Sequence, residues 1–167
     1  YNTGMWTFIH KLGSPPWFFG FSGTLVRWLL PITVILLLVG ATWGLLVAPP
    51  DFRQGNSYRI IYIHVPAAVV ALAGYYVMAL AGAVSLIWRI KMADVTMRAA
   101  APVGAVLTAI ALVTGAIWGK PTWGAWWVWD ARITSMLILL FLYLGVVALF
   151  EAYENKTAAA RACAVLS

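Results

Sequence analysis

Four long apolar runs dominate the pattern of hydrophobic and polar positions. Trp28 to Pro50, Ile60 to Trp88, Ala99 to Gly119 and Ile133 to Phe150 contain no Asp, Glu, Lys or Arg. Each is near the roughly 20 residues that a helix needs to cross the hydrocarbon core of a bilayer. The pattern predicts an all-α, polytopic transmembrane helical bundle with four spans, at about 28–48, 60–88, 99–118 and 132–150, in one integral membrane domain over residues 1–167. The second and third spans are rich in small residues, with Ala67, Ala71, Gly74 and Gly82 on one and Ala101, Gly104, Thr108, Ala111 and Gly115 on the other. Lipid tails are as apolar as the side chains, so close backbone approach at such residues is what holds helices together, and a tight pair of spans two and three is expected.

Ahead of the first span, Trp6, Phe8, Ile9, Trp17, Phe18, Phe19 and Phe21 surround Lys11 and the Pro15-Pro16 break, which suits a segment in the membrane interface over residues 5–26. His10, beside Lys11, reads as a solvated cytoplasmic histidine. The run from Trp28 is longer than a signal core and has no small-residue cleavage pattern after it, so it is expected to remain as an anchor. The chain opens YNTG before Met5 and stops at ARACAVLS as another apolar run starts, so a further helix is expected beyond Ser167.

Composition agrees with a membrane location: 63% hydrophobic residues, 10% charged residues and a mean hydropathy of +0.90 leave too little polar surface for a water-soluble globule. The net charge of +6 does not indicate nucleic acid, because the basic residues flank the spans. With alternating helices, Lys11, Arg27, Arg89, Lys91, Arg98, Lys156 and Arg161 share one side, and Arg53, Arg59, Lys120 and Arg132 the other. Seven against four puts the termini in the cytoplasm and the connection between spans three and four outside. Cys163 is the single cysteine, which excludes an internal disulfide or a CxxC redox pair.

That outer connection, WGKPTWGAWWVWDAR, holds Trp118, Trp123, Trp126, Trp127 and Trp129, five of the ten tryptophans, within twelve residues. Indole is flat, apolar and a hydrogen-bond donor, so the cluster can wall a planar ligand or anchor at the membrane surface. One or two tryptophans need no account beyond an interfacial belt. Five exceed it, and anchoring gives no reason for adjacent indoles such as Trp126 and Trp127 to point to different sides. Asp130 suits the N-cap of the fourth helix, through the amides of Arg132 or Ile133, and could also orient Arg132.

His64, in RIIYIHVPAA, is the imidazole inside an apolar span, about 6 to 9 Å below its outer end. An ionisable residue there reads as a ligand or proton carrier, against the plain alternative of a neutral histidine satisfied by a neighbouring helix. Pro66 either denies the carbonyl of Tyr62 its hydrogen bond or starts a new helical segment. By parity of the spans, His64, the loop from Pro49 to Arg59 and the Trp-rich connection lie on the outer side and can converge. They supply an imidazole, flat aromatic walls, and the cations Arg53, Arg59, Lys120 and Arg132 for anionic groups. That inventory matches haem, whose iron takes an axial histidine and whose propionates take Arg or Lys donors.

The stretches WGKPTWGAWWVWDARITSMLILLFLYLG and GNSYRIIYIHVPAA together resemble the CcmC family, tryptophan-rich WWD-motif proteins of bacterial cytochrome c maturation, from about Met5 to the end. The resemblance implies a subunit of the bacterial inner membrane that holds haem b at the outer, periplasmic face between two axial histidines and the WWD segment. It implies passage of that haem to the periplasmic haem chaperone CcmE. It also implies a release complex with an ABC-type ATPase subunit, a second multi-span membrane subunit and a small single-span subunit. His64 matches the first axial position. The family is expected to have six spans, with the second axial histidine between the last two, beyond Ser167. No Walker-type glycine loop occurs, so an ATPase would be another chain.

The resulting expectation is a haem-presenting membrane subunit rather than an enzyme acting alone. His64 is its axial ligand, the five tryptophans are its platform, and Lys120, Arg132, Arg59 or Arg53 lie near the propionates with Asp130 beside them. The rivals are a cytochrome c haem lyase of the same WWD superfamily, a haem transporter subunit, and a helical scaffold in which the tryptophans only anchor.

Overall fold

The computed structural model describes residues 14–167. The expectations for Trp6, Phe8, Ile9, His10 and Lys11 lie outside the described residues. Helix α1 spans Pro15–Thr42 and runs into a π-helical turn, Trp43–Val47. A 3-10 turn, Asn56–Ile60, leads directly into α2, Ile61–Trp88. Helix α3 is Lys91–Trp123, α4 is Ala131–Ala152 and α5 is Lys156–Leu166. Among the described residues the fold is all-α, and four helical stretches are long and apolar enough to cross a membrane: Pro16–Val47, Asn56–Trp88, Lys91–Trp123 and Ala131–Ala152.

Two predicted boundaries move. The Pro15-Pro16 pair begins α1 rather than breaking an interfacial segment, because proline lacks an amide that the first turn would leave unbonded and has a helical φ. Trp17 and Phe21 then stack one turn apart, 5.4 Å between ring centroids. Helix α3 begins eight residues before the predicted span and continues through Trp118 to Trp123, so the Trp-rich connection shrinks to residues 124–130. Gly124, at φ 80°, ends it in the left-handed conformation that glycine takes without a Cβ clash.

The largest helix–helix interface is α2 with α3, as the small residues predict. Ala67, Ala71 and Met78 of α2 and Met97, Ala101, Ala105, Thr108 and Ala111 of α3 are buried. Tyr143 of α4 enters the same layer at Gly104, where a Cβ would collide with its ring, and its Oη donates to Ala71 O at 2.7 Å. One phenol thus ties α4 to both helices of the pair. Asn155 caps α5 through the amides of Thr157 and Ala158, and buried Ala159, Ala160, Cys163 and Ala164 pack it against the bundle. Helix α1 is the least buried span, so α2, α3 and α4 carry the site.

Candidate functional site

Because α2 and α3 are antiparallel, the first turn of α2 meets the last turns of α3. His64 sits there, half-buried, with Nδ1 2.9 Å from Ala111 O and 3.1 Å from Thr114 Oγ1. The Ala111 carbonyl can only accept, and the Thr114 hydroxyl, whose own proton has Ile110 O at 2.7 Å and Ala111 O at 3.2 Å in reach, is free to accept as well. Both partners therefore favour a proton on Nδ1, which leaves the lone pair on Nε2. That nitrogen has no hydrogen-bond partner among the described residues. Gly115 makes the seat possible: a Cβ there would lie 3.0 Å from His64 Cε1. Pro66 sits inside α2 and does not break it; the change of helical pitch falls earlier, between Ile60 and Ile61.

His64 borders an open cleft lined also by Gly115, Trp118, Trp123, Trp126, Trp127 and, across it on α4, Met136. The Trp118 ring meets His64 edge-on at 5.8 Å, and its Nε1 donates to Gln54 Oε1 at 2.7 Å. Gln54 is presented by a tight loop in which Asp51 Oδ1 accepts from the amides of Arg53 and Gln54, both at 2.8 Å. The loop from Pro49 to Arg59 and the tryptophan segment do converge, through a glutamine that the charge and aromatic patterns did not single out. Trp123 folds back over Gly119, where a Cβ would be 2.9 Å from its ring. Adjacent Trp126 and Trp127 both border the cleft, because residues 124–130 follow an irregular path. Trp127 packs edge-on against the mostly exposed Trp129 at 5.4 Å, and its buried Nε1 has no acceptor among the described residues. Trp129 itself does not line the cleft.

The cations divide. Arg132 borders the cleft, held by Asp130 at 2.7 Å and lying 5.7 Å from the Trp123 ring centre. Asp130 is also the N-cap of α4, accepting from Ile133 N at 2.9 Å, and that amide, then Arg132, holds its carboxyl below the usual carboxylate range. Arg59, expected near a ligand's anionic edge, instead donates to Ala48 O at 3.0 and 2.6 Å and to Leu45 O at 3.1 Å. Pro49 and Pro50 offer no N–H to Leu45 O, and the helix stops before an amide can reach Ala48 O, so the guanidinium completes the end of the first span. Lys120 Nζ is likewise turned back, onto Gly124 O at 3.1 Å, and Arg53 is exposed in its loop.

The residues present fit a large planar group bearing a metal. A single imidazole with a free Nε2 suits iron whose equatorial positions are already filled by a macrocycle. The indole walls suit its faces, the Trp127 N–H has no acceptor among the described residues, and Arg132, oriented by Asp130, keeps further guanidinium N–H groups for a second carboxylate.

Comparison with known proteins points the same way. The family described as Heme exporter protein C (CcmC) matches residues 8–167. The chain is 52% identical to Heme exporter protein C of Escherichia coli (strain K12) over 162 residues, which are 97% of this chain and 66% of that protein. It is 48% identical to the Haemophilus influenzae protein of the same name, again over 97% of this chain and 66% of the relative. To that of Bradyrhizobium diazoefficiens it is 46% identical, over 93% of this chain and 59% of the relative. The chain spans just under two thirds of the length of the relatives it matches, and it belongs to the Heme exporter protein C (CcmC) family.

Proposed function

We propose that this chain is the part of a multi-pass inner-membrane protein that holds haem b at the periplasmic face during cytochrome c maturation. His64 Nε2 is an axial ligand to the iron. Trp118, Trp123, Trp126 and Trp127 contact the macrocycle, and Arg132, oriented by Asp130, pairs with a propionate at the cleft mouth. The termini face the cytoplasm and the WWD segment the periplasm, in one membrane domain. Haem is the cargo, and the receiver is the chaperone CcmE. An ABC-type ATPase, a second multi-span subunit and a small single-span subunit complete the release complex, so the chain presents haem without catalysing a reaction alone.

The observation that carries this reading is the seating of His64. The Ala111 carbonyl 2.9 Å from Nδ1, with the Thr114 hydroxyl at 3.1 Å, favours a proton on Nδ1, which leaves Nε2 available beside the tryptophan walls. A histidine that only bridged two helices would not require four indoles around its cleft. The test is the visible spectrum and pyridine haemochrome of the detergent-purified chain, natural and His64→Ala, after reconstitution with haem. A haem band in the natural chain that is lost or shifted in the variant supports the ligand role. A band that the substitution leaves unchanged refutes it.

A further inference from the structure

At the end of the bundle opposite His64, the first turns of α3 and α5 face a second depression. Lys91, Arg98 and Lys156 border it. None of the three is ion-paired among the described residues, where the single salt bridge is that of Arg132 with Asp130. Asp94, the one carboxylate on the rim, accepts a hydrogen bond from Ser85 Oγ of α2. Lys156 Nζ reaches only Phe150 O, at 3.4 Å. Three cations thus gather around one carboxylate, where the N-termini of two helices add partial positive charge. Such a cluster of exposed cations sets up a positive potential that draws an anion.

The depression adjoins a separate apolar groove. Phe150 closes the inner side of the depression, and Val95 on its rim borders that groove, which runs between Phe18 of α1, Val70 and Gly74 of α2, and Val103 and Leu107 of α3. Polar pocket and apolar groove meet at one side chain. A free phosphate would use the first alone, whereas a molecule with an anionic head and a hydrocarbon tail uses both.

We propose that Lys91, Arg98 and Lys156 bind the phosphodiester of an anionic phospholipid whose acyl chain lies in the groove from Val95 to Leu107. The planar Arg98 guanidinium can engage two phosphate oxygens, and the lysines act as point charges around them. The site uses no residue of the His64 cleft and stands whether or not haem binds there.

The test is native mass spectrometry of the detergent-purified full chain, titrated with phosphatidylglycerol, phosphatidylcholine or inorganic phosphate, with far-ultraviolet circular dichroism confirming the fold of each variant. Phosphatidylglycerol is expected to bind at least tenfold more tightly than phosphatidylcholine of the same chains. Arg98→Gln should weaken it about fivefold, and Arg98→Gln with Lys156→Gln by roughly 25-fold, at the usual strength of a cation on an anionic lipid surface. Lys120→Gln, at the far end, should leave lipid binding unchanged. Equal affinity for the two lipids, or undiminished phosphatidylglycerol binding in the folded double variant, overturns the proposal. Inorganic phosphate that binds as tightly as the lipid, with the same variant dependence, would make this a phosphate site and also overturn it.

Discussion

Gly115→Ala separates the seating of His64 from the stability of the bundle. The added methyl would lie 3.0 Å from His64 Cε1 and 3.5 Å from Nδ1, whereas relaxed carbon contacts fall at about 3.5–4.0 Å. The ring must therefore retreat by roughly half an ångström. Its Nδ1 contacts, now 2.9 and 3.1 Å, would stretch to the edge of the hydrogen-bonding range or beyond. Losing such a bond costs about 1 kcal/mol. Replacing a mid-helix glycine by alanine returns about the same amount, because alanine loses less backbone freedom on folding. Net stability should then change by less than about 1 kcal/mol, while the imidazole leaves its position over the cleft. Gly115→Leu enlarges the displacement and overpacks the α2–α3 contact by about 1–3 kcal/mol. The assay is haem retained per folded chain, read from the haemochrome, beside denaturant unfolding in mixed micelles. Retention should fall severalfold for alanine and vanish for leucine. Gly40→Ala, where a Cβ meets nothing within 4 Å, should retain haem fully. A folded Gly115→Leu protein with unchanged haem content and spectrum would refute the claim that His64 binds iron from this seat.

Other substitutions probe the supports of the site. Arg59→Gln should destabilise the chain by about 2 kcal/mol, as carbonyls at the end of the first span lose a charged donor, yet leave haem retention near its natural level; a retention loss exceeding the stability loss would return Arg59 to the cleft. Tyr143→Phe should cost about 1 kcal/mol in micellar unfolding through its bond to Ala71 O, whereas Gly104→Leu, which fills the space of the Tyr143 ring, should prevent assembly of α4 on the pair. Gln54→Ala should free the loop from Pro49 to Arg59 from Trp118, and tryptic cleavage at Arg53 should quicken about two- to tenfold, the range of one lost hydrogen bond; an unchanged rate would mean the loop is held otherwise. The Asp130 carboxyl is held below its ordinary value of 3.8, so its contribution to the start of α4 is complete above that pH and is lost as pH falls through the lower folded value. Tryptophan fluorescence of the folded chain should be flat from pH 5 to 8 and change below about 4, and Asp130→Asn should remove that acid transition.

The order of residues determined the four helices long and apolar enough to span, the pairing of α2 with α3, the Asp130 cap and the gathering of His64 and the tryptophans at one end of the bundle. These follow from local facts: runs long enough for a bilayer, small residues at helical spacing, a carboxylate before a helix, and the parity of membrane crossings. Helix ends were less legible. Nothing in the apolar pattern stops α3 at the bilayer surface, and Trp118 to Trp123 continue it until Gly124 adopts a positive φ.

Only the tertiary structure decided which polar groups meet. Arg59, Lys120 and Arg132 are equivalent as charges in a sequence, but packing directs the first two to carbonyls and leaves Arg132 at the cleft. Gln54, Thr114 and Gly115 gave no functional signal, since an amide, a hydroxyl and a missing side chain acquire meaning from what lies within about 3 Å of them. The tautomer of His64 has the same origin. A carbonyl and a hydroxyl from a helix some 50 residues away set it, and only the crossing of α2 and α3 brings them to the ring.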